Sequence, residues 1–265
     1  MKLRNRVALV TGSSRGIGRS IASALAEEGA AVAVNYRSRA EEAAQVVKHI
    51  EETGGRAVAL QADVSDPAEA ERLVAEATEA LGGLHILINN AGVSDDSLLH
   101  KMSGDSWRRV MEINFGGVFN CTRAVMDHFM MERDGAIVNI SSGMGERGWM
   151  GLSTYAASKG AVNSFTKCSA LELARFGVRV NAVTAGFVPT DLVAPLLERH
   201  ASGGITKQIP LGDVATPEQV ADVAVFLAGP SASYMTGQLV GVDGGSDAQF
   251  GIGRPLPKSS QSRGR

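Results

Sequence analysis

The sequence predicts an α/β fold: one doubly wound parallel sheet of about seven strands with helices on both faces. Three observations predict it. Short apolar, β-branched runs alternate with longer amphipathic stretches along most of the chain. Several short runs are apolar at every position, as in Val7-Ala8-Leu9-Val10, the pattern of a strand covered on both faces. A glycine-rich turn stands between the first such run and the first helical stretch. Repeated β-α units of this kind take right-handed crossovers.

In chain order, the strand expectations are Val7–Thr11, Ala31–Tyr36, Ala57–Gln61, Leu84–Asn89, Ala136–Ser141, Val178–Val183 and Gln238–Asp243. Between them, helical periodicity covers 16–29, 40–53, 67–81, 104–131, 154–176 and 217–228. Two starts are well marked. Asp66-Pro67-Ala68-Glu69 and Thr216-Pro217-Glu218-Gln219 each offer a cap, a proline at the first helical position, and a Glu or Gln that reaches back. The stretch 188–213 interrupts the alternation with Pro189, Pro195, Gly203-Gly204 and Pro210, and reads as a mobile excursion. The chain divides into one domain over 1–249 and a tail over 250–265. That tail is rich in Gly, Pro, Ser, Lys and Arg, carries no acid, and is expected to be disordered.

Composition excludes several classes. With 44% hydrophobic and 20% charged residues the chain supports one sizeable core. A net charge of −2 gives no reason to expect nucleic acid. No apolar run reaches membrane-spanning length, and the N-terminus lacks the apolar segment and cleavage site of a signal peptide. Cys121 and Cys168 sit in helical contexts and are expected to be buried thiols in a cytoplasmic protein. The five histidines have no ligand spacing, so no metal is expected.

The turn Thr11-Gly12-Ser13-Ser14-Arg15-Gly16-Ile17-Gly18 has the placement of a dinucleotide-binding loop in a Rossmann-type sheet. Its glycines allow backbone N–H groups to approach a pyrophosphate, and the helix N-terminus adds positive potential. No Gly-Lys-Ser/Thr follows, so it is not a P-loop. Strand two ends in Asn35-Tyr36-Arg37-Ser38, with no carboxylate to take a ribose hydroxyl or to repel a 2′-phosphate. Arg37, with Arg15 from the other side, favours NADP(H). Asp63-Val64 closes strand three, where an acid can accept from an adenine amino group. Asn89-Asn90-Ala91-Gly92 ends strand four at the same sheet edge.

Tyr155 and Lys159 lie four residues apart, on one face of a helix, with Ser142 thirteen residues upstream. A free phenol is a poor acid-base group near neutrality, and a neighbouring ammonium is expected to lower its pKa. The tuned phenol exchanges a proton with a substrate oxygen that a serine hydroxyl holds.

Taken together, these residues resemble the short-chain dehydrogenase/reductase family over about 5–246. Five motifs occur in order: Thr11-Gly12-x-x-x-Gly16-x-Gly18, Asp63-Val64, Asn89-Asn90-Ala91-Gly92, Asn114, and Ser142 with Tyr155 and Lys159. The resemblance implies that Tyr155 is the general acid-base. It implies that Lys159 tunes it and holds the nicotinamide ribose, that Ser142 rather than Ser141 binds the reacting oxygen, and that Asn114 holds a water linking Lys159 to solvent. It also implies that Thr190, with Gly186 and the Val188 backbone, contacts the nicotinamide carboxamide. One departure is Ala185-Gly186 where the family usually has Pro-Gly; Asp213, where an Arg often stands, is another.

Within the family the runs Asp95-Asp96-Ser97-Leu98-Leu99, Pro210-Leu211-Gly212, Phe226-Leu227-Ala228 and Val242-Asp243-Gly244-Gly245 are similar to those of 3-oxoacyl-acyl-carrier-protein reductases. That implies NADPH-dependent reduction of a β-keto thioester carried on an acidic acyl carrier protein, by a homotetramer joined through the helices 104–131 and 154–176. Arg133 and Arg175 are candidates, by the same resemblance, for steering the carrier near the mouth of the site. A tailoring ketoreductase for a polyketide or other natural product, or a secondary-alcohol dehydrogenase, shares the same machinery. Trp149, Met150, Leu152, Phe187, Leu192 and Leu196 point to an apolar pocket, which argues against a free sugar. A non-catalytic NADP-binding scaffold is disfavoured because all four catalytic positions are present.

Overall fold

All seven strands form, and every pairing between them is parallel. In the computed structural model, which describes residues 1–199 and 204–248, they are β1 (Val7–Val10), β2 (Ala31–Tyr36), β3 (Arg56–Gln61), β4 (Ile86–Asn89), β5 (Gly135–Ser142), β6 (Val178–Ala185) and β7 (Leu239–Val242). Their order is β3-β2-β1-β4-β5-β6-β7. The chain runs outward from β1 to β3 and then returns to the far side of β1. The switch point therefore lies between β1 and β4, where an open sheet of this kind leaves a crevice at the strands' carboxyl ends.

The strand sequences are apolar throughout because both faces are covered. Ala8 and Val10 of β1 join a core layer with Ile21 and Leu25 of α1 (Gly16–Glu27), Val46 and Ile50 of α2 (Ala40–Glu52), and Val220 and Leu227 of α8 (Pro217–Ala228). Val7 and Leu9, one residue out of phase, join the opposite layer. There they meet Leu73 of α3 (Pro67–Leu81), Val125 and Phe129 of α5 (Gly117–Glu132), and Leu173 of α6 (Ser153–Leu173).

The marked helix starts form with one difference. Thr216 and Gln219 make a complete capping box. The Asp66 side chain accepts from the Ala68 and Glu69 N–H groups, but Glu69 reaches past the cap and accepts from the Asp63 N–H at 2.7 Å. The single helix expected over 104–131 is broken. α4 (Gly104–Met111) passes through one π turn, Glu112–Gly116, into α5. The wider turn goes with Asn114 being tied sideways to Val93 and Ser158, and with Gly117 packing on Val64, where a Cβ would lie 2.7 Å from Val64 Cγ2.

The excursion is partly anchored rather than mobile throughout. Val188, Ile205 and Ile209 are buried, α7 (Ala194–Arg199) forms, and Thr206–Gln208 make a 3₁₀ turn. Residues 200–203 of the excursion and the chain from 249 lie outside the described residues, and the expectation of a disordered 250–265 lies there too. Of the two thiols, Cys121 is buried, and burial pushes its pKa up to about 12. Cys168 is exposed, contrary to expectation, because it sits on the outer side of α6. Among the described residues no helix is long and apolar enough to cross a membrane.

Candidate active site

A cleft of ≈ 880 Å³ opens at the carboxyl edge of the sheet. It is lined by Gly12, Ser14, Arg15, Gly16, Ile17, Gly18, Asn35, Arg37, Ser38, Asp63, Val64, Asn90, Ala91, Gly92, Ser142, Tyr155, Lys159, Gly186, Val188 and Thr190, residues drawn from seven separate segments of sequence. Thr11 and Asn114 are not on its wall. Both are buried behind it.

Thr11, Asn35 and Asn90 act as braces. Thr11 Oγ1 accepts from the N–H groups of Asn90 (2.9 Å) and Ala91 (3.1 Å). Asn90 Nδ2 donates back to the carbonyls of Thr11 and Gly12, and Asn35 Oδ1 accepts from the Gly12 N–H at 3.1 Å. Asn35 Nδ2 is shared among the carbonyls of Tyr36 in β2, Leu60 in β3 and Ala62 just after it. The glycine loop is thus pinned from three strands. Its left-handed Gly12 (φ 60°) lies so close to Ala91 that a Cβ would come within 2.9 Å of Ala91 Cα.

The loop fits a dinucleotide. No side chain caps the N-terminus of α1 and no acid stands in its first turn, so its free N–H groups and dipole are open to a pyrophosphate. At the other end of the cleft, Gly92 lies beside Lys159 and Asn114. A Cβ there would sit 3.8 Å from Lys159 Nζ and 3.4 Å from Asn114 Oδ1. The adenosine side differs from expectation in one respect. Arg37 lies 3.6 Å from Asp63, and Arg15 is ion-paired with Asp191 of the excursion, so both cations already have carboxylate partners. The Asp63 Oδ1 that was expected to meet a base also accepts from the N–H and hydroxyl of Ser65.

The chemistry-bearing end is built by β5 and α6. Ser142, the last residue of β5, keeps its hydroxyl at the cleft, where it accepts from the Met144 N–H at 3.2 Å. Ser141 is committed elsewhere, donating to Asn163 Oδ1 at 2.6 Å. Lys159 is buried, and Nζ donates to the Ile140 carbonyl at 2.8 Å. It stands 5.7 Å from the Tyr155 ring centroid.

One expectation is corrected here. Tyr155 was expected to have a lowered pKa. Burial instead pushes it up to about 12, with hydrogen bonding to Ser142 acting the other way and the Asp96 charge adding to the rise. Burial also pushes Lys159 down to about 8. For both groups desolvation is the largest cause of the shift. The side-chain amide of Asn114 is bonded to protein. Nδ2 donates to the Val93 carbonyl and to Ser158 Oγ, while Oδ1 accepts from the Val93 N–H.

Arg133 and Arg175 are also displaced from their expected place. Each precedes a strand of the parallel sheet, β5 and β6, so both lie at the amino edge, opposite the cleft. Arg133 Nη2 donates to the Arg175 carbonyl, and Arg175 stacks on Phe176. Of the apolar set, Trp149 and Phe187 meet edge to face at 5.7 Å, whereas Met150 is exposed. Asp95, Asp96 and Arg109 also stand on the cleft wall, and of these the sequence reading missed Arg109.

Comparison with known proteins agrees with this geometry. A family model described as enoyl-(acyl carrier protein) reductase matches residues 12–247. The 3-oxoacyl-[acyl-carrier-protein] reductase FabG of Staphylococcus aureus is 43% identical over 238 residues, covering 90% of this chain and 96% of that protein. The chain belongs to the short-chain dehydrogenase/reductase family. The 3-oxoacyl-[acyl-carrier-protein] reductase of a Synechocystis species is likewise 43% identical, over 92% of this chain and 97% of that protein. Among solved structures, a gluconate 5-dehydrogenase from Burkholderia cenocepacia in complex with NADP and tartrate superposes with a TM-score of 0.89 at 35% identity, covering 94% of this chain and 98% of that one. As a member of this family the protein is an oxidoreductase that acts on CH–OH and C=O groups, and the family works with a nicotinamide cofactor.

Proposed function

We propose that the protein uses NADPH to reduce the β-keto group of a 3-oxoacyl thioester, carried on an acyl carrier protein, to a secondary alcohol. The observation that carries this reading is the convergence of Ser142, Tyr155 and Lys159 in the same cleft as the uncapped N-terminus of α1. Kinship with 3-oxoacyl reductases supports the acyl substrate.

The bound cofactor supplies the hydride to the ketone carbon. The chain's residues do the rest. Ser142 donates to the carbonyl oxygen and holds it as negative charge grows there. Tyr155 gives that oxygen its hydroxyl proton. Lys159 stabilises the phenolate left behind and holds the cofactor's ribose, and Asn114 fixes the segment Gly92-Val93 beside it. Gly16, Ile17 and Gly18 receive the pyrophosphate. Ser14, Arg15, Arg37 and Ser38 receive the 2′-phosphate side, with Asp63 and Val64 beside the base. Gly186, Val188 and Thr190 meet the carboxamide. The outer faces of α5 and α6 expose Phe119, Met131 and Leu171, and a homotetramer through them is part of the same reading.

The kinship of fold with a gluconate dehydrogenase raises a sugar acid as the competing substrate. The Asp96 charge acts directly on the Tyr155 phenol, so a free carboxylate placed there meets like charge. NADPH oxidation with 3-oxoacyl thioesters and small ketones, and NADP reduction with gluconate, run side by side, test the reading. The expected outcome is a kcat/KM highest for the thioesters. A higher value for gluconate overturns it.

A further inference from the structure

The turn that follows Ser142 is held between two walls. On one side it packs on α6. A Cβ on Gly145 would lie 2.8 Å from the Lys159 carbonyl carbon and 2.7 Å from Asn163 Nδ2, so only a glycine lets the turn approach so closely. On the other side it meets the segment after β7. A Cβ on Gly143 would lie 2.9 Å from both carboxylate oxygens of Asp247. Arg147 extends this contact. Its guanidinium pairs with Asp247, and Nη1 donates to the Ser246 carbonyl at 2.6 Å.

The segment after β7 is itself shaped to present Asp247. Asp243 Oδ1 accepts from the Gly245 N–H at 2.9 Å, and its Oδ2 accepts from the Asp247 N–H at 2.6 Å. Gly244 and Gly245 both take left-handed conformations, which few other residues adopt. The same segment also reaches the excursion. The Gly244 carbonyl accepts from the Leu211 N–H at 3.1 Å, and Gly244 and Gly245 pack against Ile209 and Pro210. One short stretch therefore touches both loops that flank the substrate end of the cleft.

We propose that residues 243–247 form a clasp, and that the Arg147–Asp247 pair is a positioning device for Ser142. Asp247 touches no reacting atom. It fixes the 3₁₀ turn Gly143–Gly145, whose Met144 N–H in turn donates to the Ser142 hydroxyl. This inference rests on the carbonyl-reduction reading, in which Ser142 holds the substrate oxygen. The pair is only partly exposed, with side-chain exposures of 39% and 27%, so it is less open to solvent screening than an ordinary surface pair. Two other carboxylates, Asp243 and Glu146, act on Asp247, which makes Arg147 the cation that keeps it in place.

The test compares wild type with Asp247→Asn, Arg147→Met and the double variant. In the Asp247→Asn variant, kcat on the best ketone is expected to fall about tenfold with the Kd for NADPH unchanged, because a misplaced oxygen-holding group costs rate rather than cofactor binding. The double variant should be no slower than the slower single one, as for two partners of one contact. Asp247→Glu should recover part of the loss. Amide hydrogen exchange over 143–149 should be at least about tenfold faster in Asp247→Asn than in wild type. Unchanged exchange, or wild-type kcat in Asp247→Asn, overturns the clasp. A wild-type protein that turns over no ketone overturns the functional reading instead, and the exchange measurement still decides the clasp on its own.

Discussion

The two ends of the cleft are built by different means. The cofactor end stands on β1, β2 and β4, and its loop is tied to segments at their ends: Thr11 to Asn90 and Ala91, Asn35 to Gly12, Asn90 back to Thr11 and Gly12. The substrate end is made of short turns and the excursion, held by a few contacts from the far end of the chain, such as Arg147 to Asp247 and Leu211 to Gly244. The first end is a rigid receptor for a ligand that does not vary. The second is an adjustable wall, where loop sequence sets which carbonyl is admitted. The proposed chemistry falls at their junction, on Ser142, Tyr155 and Lys159.

The sharpest way to break this division is at the junction itself. Tyr155→Phe removes one hydroxyl, and that oxygen is the proton donor in the proposed reaction. Turnover is expected to fall by roughly 10²–10⁴-fold, the usual contribution of a positioned acid. NADPH affinity, read by fluorescence titration, should stay within about twofold, since the α1 loop is untouched. A variant that keeps most of its turnover removes Tyr155 from the mechanism.

A second effect, smaller in free energy, comes from the buried ammonium. Lys159 is held near pKa 8 when folded, against an ordinary 10.5. Between those values the unfolded chain binds more protons than the folded one, so this group's contribution to stability rises with pH across that window. Below pH 8 both states are protonated and the full cost of burying the charge is present. Lys159→Met is therefore expected to be more stable than wild type at pH 7 by roughly 2–3 kcal/mol. The bond from Nζ to the Ile140 carbonyl favours the ammonium and places the value at the lower end of that range. Near pH 10 the gap should nearly close. A gap that does not change with pH, in denaturant titrations at both values, contradicts the assignment.

The same contrast explains what was legible in the sequence. The seven strands and the Ser142, Tyr155 and Lys159 set were readable because each rests on local spacing: an apolar run, a glycine turn, one helical face. The break at Glu112–Gly116 was not, since the period of 104–131 continues through it and its cause, Asn114 bonded to Val93 and Ser158, is tertiary. The direction of the Tyr155 shift was missed because a four-residue spacing places a lysine near a phenol but says nothing of how dry their common pocket is. The place of Arg133 and Arg175 was within reach. Each precedes a predicted parallel strand, and the amino ends of such strands face away from the crevice. Asp247 as a partner of Arg147 had no local signal at all, being a hundred residues away in sequence.

The mildest test concerns the cofactor end, where a rigid receptor still has one adjustable feature. Arg37 is proposed to take the 2′-phosphate, yet it lies beside Asp63. At 3.6 Å, with side chains 54% and 32% exposed, that pair is loose. Pairs of this kind contribute about 0–1 kcal/mol. A phosphate offers more negative charge and more acceptors than one carboxylate, so Arg37 gains by turning toward it. Arg15 is already ion-paired with Asp191 of the excursion and is expected to be the weaker determinant. Arg37→Ala should raise KM for NADPH about tenfold and leave KM for NADH within about twofold, because only the 2′-phosphate distinguishes the two. Asp63→Asn, which frees Arg37 of its competitor, should shift the preference the other way. If Arg37→Ala changes both cofactors alike, Arg37 supports the loop without reading the phosphate, and the preference for NADPH must be sought at Arg15 and Ser38.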